Sequence, residues 1–176
     1  MIQVRYAKSA IENEEGMNHL WLQIAPLGSV QNVRVQITLP AGFHRTRNLN
    51  GADEDNAGVI SVLEPLAATD LFLEIYTLEP IPCGMHYITV ELSYKDCGGS
   101  VTGIRQTIPL RVVSDEESGD IHTDEEVVRR IKELHLLPGN GQMNENNEYP
   151  PVKLIRIDSS TVSEWEKKYR VEGAIE

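Results

Sequence analysis

The sequence predicts a mainly β chain: an antiparallel β-sandwich of about seven strands over residues 1–113, with a C-terminal α-β-α tail. Three observations predict it. Short runs alternate apolar and polar residues with a period of two. Clusters of Gly, Pro, Asn and Asp punctuate those runs at the spacing of a sandwich. No helical periodicity separates the runs, which excludes a βα architecture.

Ile2, Val4 and Tyr6 alternate with Gln3 and Arg5 to give the first strand. Leu20, Leu22 and Ile24 alternate with Trp21 and Gln23 to give the second. Val33, Val35, Ile37 and Leu39, interleaved with Arg34, Gln36 and Thr38, form the cleanest alternation in the chain. Residues 58–63 give a fourth strand, and Leu71, Leu73, Ile75 and Thr77 a fifth. Tyr87 to Tyr94 gives the sixth and Thr102 to Val113 the seventh, where Pro109 marks an edge or a bulge. Seven short strands with turns of this chemistry point to an immunoglobulin-like sandwich.

The composition then shifts. Residues 114–123 form an acidic linker, and 124–176 a helix–loop–strand–helix tail. Thr123 is placed to cap the first helix, with Glu126 at the capping-box position. Val127, Ile131 and Leu134, flanked by Val128 and His135, make its apolar face, and Pro138-Gly139 ends it. Residues 139–151 are polar and Asn-rich. Val152 to Asp158 reads as a strand with apolar groups on both faces, since Leu154 and Ile155 are adjacent. Ser160 or Thr161 caps a last helix with a Val162, Trp165, Tyr169 stripe.

Leu71-Phe-Leu-Glu-Ile, Pro82-Cys-Gly84, Tyr87-Ile-Thr-Val-Glu-Leu-Ser-Tyr94, Asp96 with its glycines, and Ile108-Pro-Leu-Arg-Val112 follow one another in a familiar order. Together with Val33 to Pro40-Ala-Gly42-Phe43, they resemble the prokaryotic immunoglobulin-like modules of the CARDB and NEW3 type over residues 30–113. The resemblance implies a non-catalytic spacer, adhesin or interaction domain. Most such modules are secreted.

The net charge of -11, with no cluster of Lys and Arg, argues against nucleic acid and against an anionic membrane as partners. No run reaches the ~18 apolar residues of a membrane span. The start, Met1-Ile-Gln-Val-Arg-Tyr6, lacks the apolar core of a signal peptide. A cytoplasmic protein is therefore expected, a secreted fragment without its signal being the alternative. Cys83 and Cys97 flank the strand Met85–Lys95, which would hold them about 33 Å apart, whereas a disulfide needs Cα atoms within about 7 Å. Two free thiols suit a reducing compartment.

Asp53 to Glu64 fits most of a calcium-loop pattern, with Asp53 and Asp55 at positions one and three, Gly58 at six and Glu64 at twelve. Ala57 brings no ligand at position five, and a strand after Gly58 would carry Glu64 away. Those features favour an acidic hairpin loop, so no metal and no cofactor is expected. His19, His44, His86, His122 and His135 stand in no metal-binding frame, and Cys97, between Asp96 and two glycines, lies in a neutral to acidic setting rather than the cationic one a reactive thiolate needs. With no nucleophile, phosphate-loop or dinucleotide motif, no enzyme is expected. Trp21 points opposite Leu20 and Leu22, toward the other face or an exposed sticky spot.

The expected function is a non-enzymatic protein–protein interaction or adaptor module. The sandwich is its platform. The tail docks on a protein partner or on its own copy through Leu154, Ile155, Ile157, Trp165 and Tyr169. The alternative is a structural or surface module of a larger extracellular or virion-like assembly.

Overall fold

The computed structural model describes residues 1–136 of the chain. Nine strands form two sheets: β1 (Ile2–Tyr6), β2 (Ile11–Glu12), β3 (Met17–Ile24), β4 (Gln31–Thr38), β5 (Phe43–Arg45), β6 (Val59–Val62), β7 (Thr69–Thr77), β8 (Gly84–Lys95) and β9 (Val101–Val113). One sheet runs β1-β3-β7-β5, the other β2-β9-β8-β4-β6. Every strand pair is antiparallel except β2 with β9. The count of about seven strands is thus corrected to nine. The seven runs legible in the sequence are β1, β3, β4 and β6–β9. The added β2 and β5 are too short to show a period. Neighbours define them: Ile11 and Glu12 lie beside Val112 and Val113, and Phe43–Arg45 beside Ile75–Thr77.

With β1, β3 and β7 in one sheet and β4, β8 and β9 in the other, the strands nest in the order of an immunoglobulin sandwich. Short β5 joins the first sheet before β6 joins the second, which departs from that order. Alternation sets which side chains meet between the sheets. Val33, Val35 and Ile37 of β4 are buried while Arg34 and Gln36 are exposed. They face Leu20, Leu22, Leu73 and Ile75 from the opposite sheet within one continuous core. Each such side chain contributes roughly 1.5–3 kcal/mol by leaving water.

The β8–β9 register runs without a break from Gly84 opposite Val112 to Lys95 opposite Val101. Pro109 lies within it, opposite Tyr87. Proline has no N–H to give, so an unbroken ladder requires Pro109 to turn its backbone away from β8. The expected edge is present and the bulge is absent; the irregular register is at Gln31/Arg34 in β4, where Asn32 has φ +52°.

After β9, Asp115–Asp120 forms a 3-10 helix with no buried residue, followed by α1 (Glu125–Leu136). The expected cap at Thr123 is corrected to Asp124. Asp124 Oδ1 accepts the N–H of Glu126 at 3.1 Å and of Val127 at 3.3 Å. Thr123 is instead bridged to Lys8, and Asp124 donates its own N–H to the Ala7 carbonyl at 2.8 Å. The sandwich's edge therefore decides where the helix starts. Val127 and Ile131 are its buried face, as the 3.6-residue period predicts, with Val128 and Leu134 partly buried beside them. His135 is exposed. The strand expected at 152–158, the last helix and the Pro138-Gly139 stop lie outside the described residues.

Candidate functional site

The outer face of the four-stranded sheet carries Trp21 and Phe72, directly opposite each other on β3 and β7. Their rings stack with centroids 5.4 Å apart. Helix α1 covers them with Val127 and Ile131, and Ala7 completes the cluster. Trp21 is thus on the other face, as one of its two sequence readings had it, and it is buried. Its Nε1 donates to Asp70 Oδ1 at 3.0 Å, which satisfies its one polar atom. Guanidinium groups approach its ring from two elements, Arg5 at 5.1 Å and Arg130 at 5.8 Å.

Arg5 also fastens the helix start. Its Nη2 donates to both Asp124 oxygens at 2.9 and 2.7 Å, and its Nη1 to Glu126 at 2.6 Å. The Arg5 bonds, reinforced by the helix N–H groups, hold the Asp124 carboxyl below the usual carboxylate range, although slight burial opposes this. The bonds to Glu126 and Asp124 raise Arg5 in turn.

The acidic loop before β6 is closed by protein groups. Glu54, between the two aspartates of the calcium-loop pattern, turns inward. It accepts Arg45 Nη1 at 2.7 Å, the Asn48 N–H at 2.8 Å and Asn48 Nδ2 at 2.9 Å. Burial pushes its carboxyl up, but the Asn48 and Arg45 bonds outweigh it and the net shift is downward. Asp55 Oδ1 accepts the N–H groups of Ala57 and Val59, both at 2.9 Å. Asp53 is exposed, and Glu64 is exposed beyond the end of β6. Among the described residues no group of three or more His, Cys, Asp or Glu side chains is arranged to hold a metal ion.

Cys83 and Cys97 are free and exposed, one before and one after β8. The Cys97 thiol donates to the Ser29 carbonyl at 2.9 Å. It borders an open groove of about 740 Å³ between loops, lined by Val30, Leu63, Pro65 and Leu66, whose charged residue is Glu64. His19 faces Glu74 at 3.5 Å. Burial lowers its pKa, His135 and Lys8 lower it further, and Glu74 pulls the other way. His86 and His44 pack on Phe43 and Tyr76 respectively.

The outer face of the five-stranded sheet is largely polar. Cross-strand rows on it read Thr38–Thr89–Thr107, Gln36–Glu91–Arg105 and Arg34–Ser93–Gly103. Arg105 and Glu91 form an ion pair within it. Among the described residues, the free edge of β9 is covered only at its Val112–Val113 end, by β2. Pro109 marked this edge in the sequence; pairing partners themselves leave no local pattern, so its extent was not legible there. The expected docking residues Leu154, Ile155, Ile157, Trp165 and Tyr169 lie outside the described residues.

No protein-family model and no curated protein matches the chain. Among solved structures it is similar to BcpA, the major pilin subunit of Bacillus cereus (TM-score 0.46, 10% identity), over 65% of this chain and 40% of the pilin. It is similar to a PapD-like domain of human CEP192 (TM-score 0.31, 14% identity), over 64% of this chain and 85% of that domain. It is also similar to the bacterial hydrophobin BslA (TM-score 0.32, 14% identity), over 64% of this chain and 100% of that one. The aligned part thus spans less than half the length of the pilin.

Proposed function

We propose that this chain is a non-enzymatic protein–protein interaction or adaptor module. The sandwich is the platform, and the residues beyond α1 are the arm that docks on a protein partner. The observation that supports this most is the clamp on α1. The helix start is bonded to Arg5, its face is packed on Trp21 and Phe72, and its last residue, Leu136, is 81% exposed. The end of α1 is thus held at a fixed point on the platform's surface. Leu154, Ile155, Ile157, Trp165 and Tyr169 supply the apolar and aromatic contacts such an arm needs.

The acids and bases that meet in the sandwich have structural partners: Glu54 holds Arg45, Asp124 caps α1, and Glu91 pairs with Arg105. That supports a scaffold over a catalyst. The free, exposed Cys83 and Cys97 fit a reducing compartment, which favours a cytoplasmic module over a surface component of an extracellular assembly.

Deletion of residues 140–176 tests the reading. The shortened chain is expected to keep its β-dominated circular dichroism and its thermal transition, and to lose the partner that the full chain captures in a pull-down. Unfolding on truncation would make the tail part of the core. Unchanged capture would move the interface onto the sandwich.

A further inference from the structure

We infer that the free edge of β9 is a self-association surface, on which a second copy of this chain pairs antiparallel across a two-fold axis at Ile104. The inference is independent of the docking arm.

The backbone directions of β9 follow from Pro109. Because Pro109 turns away from β8, so do the residues two apart from it: Val101, Gly103, Arg105 and Thr107. Two further bonds agree with this alternation. The Val113 carbonyl, on the outward set, accepts the Asn13 N–H at 2.8 Å, and the Ser100 carbonyl, on the inward set, accepts the Asp96 N–H at 3.0 Å. From Val101 to Thr107, β9 therefore presents an uninterrupted row of N–H and C=O groups that no described residue pairs. Such a row is a template for another strand. Below it, Pro109 removes a donor and β2 covers the end, so the available window is seven residues long.

That window is complementary to itself. Antiparallel pairing about Ile104 sets Gly103 opposite the partner's Arg105, Val101 opposite the partner's Thr107, and Thr102 opposite the partner's Gln106. Each match has a physical basis. Ile104 belongs to the inward set with Ile108 and Leu110, yet it is 37% exposed whereas they are 6% and 1%. On the axis it meets its own copy and loses that exposure. Gly103 has open space where a Cβ would stand. It borders a shallow depression of about 470 Å³ that also includes Glu91, Ser93 and Arg34, and the Arg105 stem of a second copy has room to cross it. Charge adds a third argument. The chain carries -11, but β9 contributes Arg105 and Arg111 and no acid. Two copies meet there with less repulsion than an average acidic face would impose, and salt that screens the remaining charge strengthens the pair.

The test uses the full chain with Cys83→Ser and Cys97→Ser as background, both positions being exposed. In the inferred register the two residues at 104 form a non-hydrogen-bonded pair with Cα atoms about 4.5 Å apart, within disulfide range. Ile104→Cys is expected to give a disulfide-linked dimer under mild oxidation. Gln106→Cys, whose copies would stand about 14 Å apart along the strands, is expected not to. Thr107→Pro removes an outward N–H that β8 does not use. It is expected to shift the mass by light scattering from dimer to monomer while the circular dichroism stays unchanged, and added salt is expected to favour the dimer of the parent. A chain that stays monomeric at every concentration and salt overturns the inference. So does absence of the Ile104→Cys dimer, equal cross-linking at 106, or a dimer indifferent to a folded Thr107→Pro.

Discussion

Arg5 on β1 and Asp124 at the head of α1 are joined by three hydrogen bonds, Arg5 Nη2 donating to both carboxylate oxygens at 2.9 and 2.7 Å and Nε to Oδ2 at 3.1 Å. The same carboxylate caps the helix through the N–H groups of Glu126 and Val127. One side chain thus ends the loop, begins the helix and ties both to the sandwich.

Substituting Asp124 separates those roles. Asp124→Ala loses the cap and the ion pair and is expected to cost about 1–2 kcal/mol. Asp124→Asn keeps a capping oxygen and is expected to cost less, because a partly exposed ion pair contributes only about 0–1 kcal/mol. Urea midpoints of the two variants check this; equal losses would mean that the charge, not the cap, dominates.

Trp21→Ala is expected to lower stability by about 3–5 kcal/mol, the range for a large buried aromatic. It leaves Phe72 without its stacking partner and α1 without its floor. Amide exchange along Glu125–Leu136 is expected to accelerate more than exchange in β8, which lies in the other sheet. Uniform acceleration would show that α1 and the sandwich open as one unit.

Stability is expected to decline with acidification in two stages. Burial holds the folded-state pKa of His19 below its ordinary value of about 6.5, against the pull of Glu74. The unfolded chain therefore takes up this proton first, and stability falls as the pH drops from about 6.5 toward the folded-state value. The second stage comes from Asp124 and Glu54, whose pKa values are lowered. Their stabilisation is present above the unfolded carboxylate range, about 4, and is lost as the pH falls through their folded-state values. Urea midpoints across this range measure both stages. His19→Gln is expected to remove the first and leave the second.

Glu54→Gln leaves Arg45, whose side chain is 13% exposed, without its counter-charge. The expected loss is about 3 kcal/mol. Asp53→Asn, on an exposed side chain, is expected to stay within about 0.5 kcal/mol. Added Ca²⁺ is expected to leave the thermal midpoint unchanged. A calcium-dependent rise that Asp53→Asn abolishes would restore the metal reading of Asp53, Asp55 and Glu64.

Both thiols are expected to react in the native state without prior reduction, since Cys83 and Cys97 are free and exposed. A thiol titration that finds only one reactive group would mean that the tail or a second copy covers the other.

The sequence by itself determined the longer strands and the inner face of the sandwich. A buried sheet face imposes a period of two on its own residues, and Val33, Val35 and Ile37 carry that period without help from elsewhere. It determined the buried stripe of α1 for the same reason, with a period of 3.6. Only the tertiary structure decided the rest. β2 and β5 exist because Val112–Val113 and Ile75–Thr77 offer them partners. Trp21 changed from an ambiguous aromatic to a buried floor because residues more than a hundred positions away lie on it. Glu54 of the acidic loop turns inward because the fold brings the Arg45 cation to it. The helix begins one residue later than its local pattern indicates because Arg5 holds Asp124 and the sandwich edge holds Thr123. Periodicity is a local property that a chain records in its own order. Partnership between distant residues depends on which surfaces the fold brings together, and no local pattern encodes it.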